Sequence, residues 1–346
     1  MKPILLLSLL LTLVLTACQS AQSTPAPTEP TLPASTGTIL EPQGLIQRIH
    51  DPVIAHEKGI YYVYSTGSRI PFICSPDMIT WESCGRIFER NPAWTREINP
   101  NLADIWAPDI SFFNGQWHLY YAVSNFGTQN SAIALATNAT LDPNSPDYAW
   151  TDHGIVLQSR PGDKWNAIDP NLVLDEQGEP WLVWGSFWQG IWMRKIDAAT
   201  GQFAADDTTT HHLADRTPGP DNTTAIEAPF IVERGGKWYL FVSFDQCCQG
   251  IDSTYNVHVG RSDNLTGPYV DQDGVEMTKG GGTLILSAYG QWKGPGHNGI
   301  LVKDGVYWMV YHAYDAQQIG IPKMRMESLS WSADGWPTLP SQTPAP

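Results

Sequence analysis

The sequence is short of basic residues, with 20 Lys and Arg against 35 Asp and Glu and a formal net charge of −15. An acidic surface of this kind argues against nucleic acid and against anionic lipid as partners, because both present phosphates. Cysteine is also scarce. None of the five cysteines stands in a Cys-x-x-Cys pair and no histidines in His-x-x-x-His, so nothing indicates a zinc site. Helical periodicity is hard to find, which excludes a helical bundle. Only one long apolar run exists, Ile4 to Leu15, broken by Ser8 and Thr12. It is shorter than the about 20 residues a bilayer span needs. With Lys2 in front of it, residues 1–17 read as an export signal.

That run ends in Leu15-Thr16-Ala17-Cys18, a pattern similar to a bacterial lipobox, in which the cysteine becomes the lipidated first residue. Cys18 is therefore expected to anchor the protein to the cell envelope, facing outward. Residues 18–38 are rich in Ala, Pro, Ser and Thr, with Glu29 as the single charge, and read as a disordered tether. Residues 39–346 are left for the folded domain, which is expected to be a monomer. An exported chain permits disulfides. Cys74 and Cys84 flank a turn at Ser75-Pro76-Asp77-Met78 and are the favoured pair.

Within that domain, short runs of Val, Ile, Tyr and Trp alternate with Gly, Pro, Asn and Asp, which predicts an all-β chain. The runs repeat. Tyr61-Tyr62-Val63-Tyr64, Trp117-His118-Leu119-Tyr120-Tyr121, Trp181-Leu182-Val183-Trp184, Trp238-Tyr239-Leu240-Phe241 and Tyr307-Trp308-Met309-Val310-Tyr311 each follow a turn containing glycine. Upstream of each hairpin lies a polar residue close to proline or glycine: Asp51, Asp109, Asp169, Glu227 and His297, at intervals of 58, 60, 58 and 70 residues. Five strand-only units of even length predict a five-bladed β-propeller, whose equivalent positions converge on a central channel. A double-sheet sandwich would not explain the even period.

Carboxyl groups on different blades suit glycosidic bond cleavage, which needs a protonated acid and an ionised base or nucleophile facing one sugar. An Asp before Pro is by itself an ordinary turn signal. Glu227 is harder to dismiss, because Ile226, Ala228, Pro229 and Phe230 surround it with apolar groups that favour its protonated form. Acids in register in four of five blades are more than turn capping requires. The 38 aromatic side chains (15 Trp, 13 Tyr, 10 Phe) would serve both the core and a sugar-binding cleft.

The set His-Asp-Pro, Trp-Ala-Pro-Asp, Ala-Ile-Asp-Pro-Asn, Ile-Glu-Ala-Pro-Phe and Gly-Pro-Gly-His-Asn, spread from about Gln47 to Tyr314, resembles glycoside hydrolase family 43 and within it the endo-α-1,5-L-arabinanases. The resemblance implies an inverting hydrolase of arabinan, including pectin side chains. Asp51 would be the general base, Glu227 the general acid, and Asp169 the residue that tunes and positions Glu227. It also implies a central metal at His297, usually calcium and held largely through water. Asn166 and Ser186 match family positions near the substrate, and Trp188 would stack on a sugar face. Asp109, Trp106 and Phe113 are candidates for the cleft, with core packing equally open for the two aromatics. Adjacent cysteines such as Cys247-Cys248 also recur in arabinanases.

Two other readings remain. The same fold serves exo-acting arabinofuranosidases and β-xylosidases, and a propeller that had lost its acids would be a sugar-binding lipoprotein. The presence of all three acids weighs against the second.

Overall fold

The computed structural model describes residues 37–216 and 224–342. The export signal, Cys18 and nearly all of the tether lie outside the described residues. Five blades of antiparallel strands follow one another along the chain, the first with Gln43–Gly44 added parallel to its outer strand, as the repeat predicts. Blade 1 is Val53–Glu57, Ile60–Tyr64, Pro71–Ser75 and Thr80–Arg86. Blade 2 is Trp106–Phe113, Gln116–Val123, Ser131–Asn138 and Thr151–Ser159. Blade 3 is Asn171–Leu174, Pro180–Trp184, Ile191–Lys195 and His211–Ala214. Blade 4 is Ile226–Arg234, Lys237–Phe244, Asn256–Ser262 and Thr283–Leu286. Blade 5 has three strands of its own, Trp292–Lys303, Val306–Asp315 and Ile321–Ser328.

The fourth strand of blade 5 comes from the other end of the domain. Ile39–Leu40 pairs antiparallel with Ile321–Ser328, with Ile39 opposite Glu327. Beside it, Glu41 and the Arg325 guanidinium form a two-pronged ion pair at 3.0 Å. This strand exchange ties the ends of the ring together. The aromatic runs of the sequence are the second strands of the blades. Their preceding turns, such as Lys58-Gly59 with φ of 49° and 86°, use the left-handed conformations that match the twist of a tight hairpin.

Apolar packing lies between blades. Tyr64 and Phe72 of blade 1 pack with Ile110 and Tyr121 of blade 2, and Tyr120 of blade 2 packs with Trp184 and Trp192 of blade 3. Blades 3 and 4 share Val183, Met193, Leu240 and Val242. Blades 4 and 5 share Phe241, Val259, Met309 and Tyr311, and blade 5 returns to blade 1 through Val310, Met324, Ile54 and Val63. Burial of such side chains, each worth about 1.5–3 kcal/mol, is what holds the blades in a ring.

The register of the inner strands differs from the sequence expectation. One residue per blade has a left-handed backbone two residues before the unbroken pairing of the inner strand begins, a point we call the entry: Asp51 (φ 51°), Ala107 (42°), Asp169 (55°), Ala228 (54°) and His297 (51°). Four of the five precede a proline. In blades 2, 4 and 5 this residue falls where the pairing slips, between Trp106 and Asp109, Glu227 and Phe230, and Gly296 and Gly299. A bulge of this kind re-aims side chains at the rim of a sheet. Asp109 is thus two residues past the repeated position and Glu227 one before it, so the acids do not occupy one equivalent position in four blades.

Candidate active site

The chain enters each inner strand on the same face, and the second strand of the hairpin returns to it. The residue at the exit of the second strand then meets an entry residue. Thr66 Oγ1 donates to Asp51 Oδ2 (2.5 Å) and accepts from Ala107 N of the next blade (2.8 Å). Ser186 donates to Glu227 Oε2 of the next blade (2.8 Å). Ser243 Oγ accepts from His297 N (2.9 Å), and His312 Nδ1 accepts from Asp51 N (3.2 Å) across the ring closure. The Ala107 and His297 N–H groups lie at bulges and the Asp51 N–H precedes its strand, so none joins a ladder and side chains satisfy them.

Asp51, Asp169, Glu227 and His297 act on one another. Oδ1 of Asp51 lies 3.1 Å from His297 Nδ1 and 3.3 Å from His50 Nδ1. Burial disfavours ionisation of Asp51, but His297 and His50 outweigh it and hold the carboxyl well below the usual range. Glu227 is displaced the opposite way. Burial raises it, with Asp51 repelling its charged form, against the Ser186 hydrogen bond, the nearby Tyr255 hydroxyl and the attraction of His297. Asp169 is also raised, first by burial and then by repulsion from Glu227 and Asp51, while His297 and the Ala228 N–H (3.0 Å) oppose the shift. Asp169 and Glu227 therefore compete for protons as a pair. His297 is pushed up to about 9: burial opposes its charge, but Asp51, Asp169 and Glu227 overcome it. One ionised carboxylate and a proton-holding pair thus share a pocket, which is the division of labour acid–base chemistry needs.

The other sequence candidates separate. Ser186 touches Glu227, as above. Trp188 is 40% exposed in the loop after the second strand of blade 3. Trp106 lies at the entry to blade 2, its ring centroid 6.4 Å from Phe126. Phe113 is not in the cleft. It sits at the far end of the same strand, buried, and stacks on His118 at 3.6 Å. Asp109 also turns away from the cleft: its buried carboxyl accepts from Leu172 N (2.8 Å) and Asn171 Nδ2 (3.2 Å) of blade 3. Burial raises it to about 7 against those two bonds. Asn166 is buried, and its Oδ1 accepts from Ser131 (2.7 Å).

Sequence reasoning missed His50, Thr66, Phe126, Tyr255, His312 and Tyr314. Two signals were available. His50 belongs to the His-Asp-Pro motif, and a polar residue at the exit of each aromatic strand recurs as surely as the strand itself. Phe126, 80% exposed, carried no such signal.

The disulfide between Cys74 and Cys84 forms across the outer hairpin of blade 1, and a second joins the adjacent Cys247 and Cys248. As to a metal, His50, Asp51 and His312 are the acid-and-imidazole group near the site whose ligand atoms lie close enough to share an ion. Calcium takes six to eight oxygens, whereas these offer two imidazoles and a carboxylate already bound to Thr66 and His297. The residues do not fit directly coordinated calcium. Beside His297, however, both amide atoms of Asn298 are buried without a hydrogen-bond partner, as atoms facing an ordered hydration shell would be.

Comparison with known proteins agrees with this geometry. Residues 45–337 match the model for glycosyl hydrolases family 43. The chain is 41% identical to the extracellular exo-α-(1→5)-L-arabinofuranosidase of Cellvibrio japonicus, over 84% of this chain and 86% of that protein. It is 40% identical to the extracellular endo-α-(1→5)-L-arabinanase 1 of Bacillus subtilis, over 84% and 87%. The structure of a Cellvibrio cellulosa α-L-arabinanase complexed with arabinohexaose superposes with a TM-score of 0.80, at 40% identity, covering 84% of this chain and 94% of that one. The chain belongs to glycosyl hydrolase family 43.

Proposed function

We propose that this glycoside hydrolase cleaves internal α-1,5-linked L-arabinofuranosyl bonds of arabinan with inversion. The observation that carries the mechanism is the opposite displacement of two carboxyls in one pocket, Asp51 downward and Glu227 upward. Asp51 remains ionised under the pull of His297 and His50, and takes a proton from the attacking water. Glu227 retains its proton and gives it to the leaving oxygen. Asp169 forms a coupled pair with Glu227, in which ionisation of one disfavours ionisation of the other, and it fixes the entry to blade 4 by accepting from Ala228 N. Trp106, Phe126 and Trp188 offer rings at the rim for sugar stacking.

Relatives that act within arabinan and from its end are about equally similar to this chain, so exo action is the second reading. Product analysis on linear arabinan decides between them. A ladder of oligomers is expected, and free arabinose or one oligomer alone would overturn endo action. Debranched arabinan should be cleaved and xylan should not.

Both relatives are extracellular by name, which supports export. We further propose that Cys18 carries the lipid anchor. Its replacement by Ala should release the enzyme from the membrane fraction, and unchanged membrane retention would exclude the anchor. Calcium at His297, held through water, is likewise a proposal; no catalytic step depends on it.

A further inference from the structure

The vicinal disulfide Cys247–Cys248 lies in the loop joining the second and third strands of blade 4. That loop is on the face where the acids enter their strands, and Cys248 is exposed. The peptide N–H inside the disulfide ring, that of Cys248, donates to Tyr314 Oη at 2.8 Å. Tyr314 Oη lies 2.8 Å from His50 Nε2, and His50 Nδ1 lies 3.3 Å from Asp51 Oδ1. We propose that the vicinal disulfide is a positioning device for the general base, acting through Tyr314 and His50.

The direction of this chain follows from its first member. A backbone N–H can only donate, so the Tyr314 oxygen accepts it, and we assign the phenol's own proton to the contact with His50. Burial raises the Tyr314 phenol, so that proton stays on the oxygen. Tyr314 then donates to His50 Nε2, which leaves Nδ1–H to face Asp51. His50 also packs against His312, at a ring-centroid distance of 3.9 Å. Its ring thus has one neighbour that sets its plane and one hydrogen bond that sets its tautomer.

The disulfide restrains the peptide that starts the chain, because its eight-membered ring contains the donor itself. The rest of the loop is held independently. Gln249 N donates to Ser253 Oγ (3.0 Å), and Gly320 of blade 5 packs so closely that a Cβ there would lie 2.8 Å from Ile251 N. Reduction therefore frees the Cys247–Cys248 peptide without releasing the loop. A dithiol reductant supplies two electrons and two protons: the Sγ–Sγ bond breaks, both sulfurs become thiols, and the reductant closes its own disulfide. Tyr314 then loses the donor that orients its hydroxyl, and the aim of His50 Nδ1–H at Asp51 slackens. Cys247, Cys248, Tyr314 and His50 are positioning residues, since none is placed on the reacting atoms.

The test uses the full chain and linear arabinan. Tyr314→Phe removes the hydroxyl and keeps the ring. Its kcat should fall about tenfold to a hundredfold, the cost of mis-aiming a catalytic group by up to an ångström, with KM and melting temperature nearly unchanged. Dithiol treatment of the wild type should lower kcat comparably, reoxidation should restore it, and Tyr314→Phe should lose nothing further on reduction. A Cys74→Ser/Cys84→Ser variant, which leaves only the vicinal pair, should respond as the wild type does. Thiol titration verifies the reduced state. Unchanged kcat in the reduced wild type overturns the proposal, as does an undiminished effect of reductant on Tyr314→Phe. So does loss of the response in Cys74→Ser/Cys84→Ser. The proposal rests on Asp51 as the base. An untreated enzyme that leaves arabinan intact refutes the function itself, whereas an active one that ignores reduction refutes only the relay.

Discussion

The Ser186 hydroxyl of blade 3 donates to Glu227 Oε2 of blade 4 at 2.8 Å. This bond favours the ionised carboxylate and so works against burial, which raises Glu227. Ser186→Ala should therefore push Glu227 higher still. The basic limb of the kcat/KM profile reports loss of the acid's proton, and it should move to higher pH. The rate at neutral pH should drop by up to about tenfold, because a hydrogen bond worth about 0.5–1.5 kcal/mol no longer orients the acid. A basic limb that stays in place or moves downward would contradict the assignment.

Acid and base can be separated by leaving group. Glu227→Gln should cut arabinan hydrolysis by about 10²–10⁴, the usual contribution of a positioned general acid. An aryl arabinofuranoside whose phenol leaves without protonation should retain far more of its rate. Asp51→Asn should impair both substrates alike, since water must be activated in either case. Equal losses for Glu227→Gln on both substrates would reassign that residue.

Asp169 should make stability fall with rising pH. Its folded-state carboxyl is raised from 3.8 to about 8, so between those values the folded chain binds more protons than the unfolded chain. The resulting stabilisation is complete below about 4 and is lost as pH rises toward 8. Asn at this position does not titrate and can still accept from Ala228 N. The melting temperature of Asp169→Asn should match the wild type near pH 4 and exceed it at pH 8. Glu227, also raised, should leave a residual slope. A wild-type slope of the opposite sign would refute the burial argument.

The blade count was legible because a repeat unit that cannot bury its own faces must write the same aromatic strand into every copy. The convergence of Asp51, Asp169 and Glu227 was legible because prolines and apolar neighbours mark their positions. Their register was not, since the left-handed bulge falls on Ala107 and Ala228 in two blades, and alanine advertises nothing. Phe113 misled because distance along a strand decides between rim and core, and composition does not record that distance. Tyr314 escaped notice because it sits in an aromatic strand that reads as core throughout, whereas His312 falls at the recurring polar exit.

Chelation addresses the metal. If a hydrated calcium ion occupies the channel beside His297 and Asn298, dialysis against a chelator should lower the melting temperature and the rate together, and calcium should restore both. Calcium favours oxygen donors, so zinc should not substitute. No change in either quantity would remove the metal from the account.

Asp109 distinguishes a cleft residue from one that joins blades. Its carboxyl accepts from Leu172 N and Asn171 Nδ2, and Asn171 Oδ1 in turn accepts from Ile231 N at 2.9 Å. Asp109 and Asn171 each lie two residues past the left-handed entry, and each reaches the N–H three residues past the entry of the following blade. Blades 2, 3 and 4 are thereby joined by one repeated bond. Asp109→Ala leaves the buried Leu172 N–H unsatisfied, at about 1–3 kcal/mol, and should lower the melting temperature with KM for arabinan nearly unchanged. Asp109→Asn keeps an acceptor oxygen and should recover most of that loss. A raised KM at unchanged melting temperature would instead return Asp109 to the substrate.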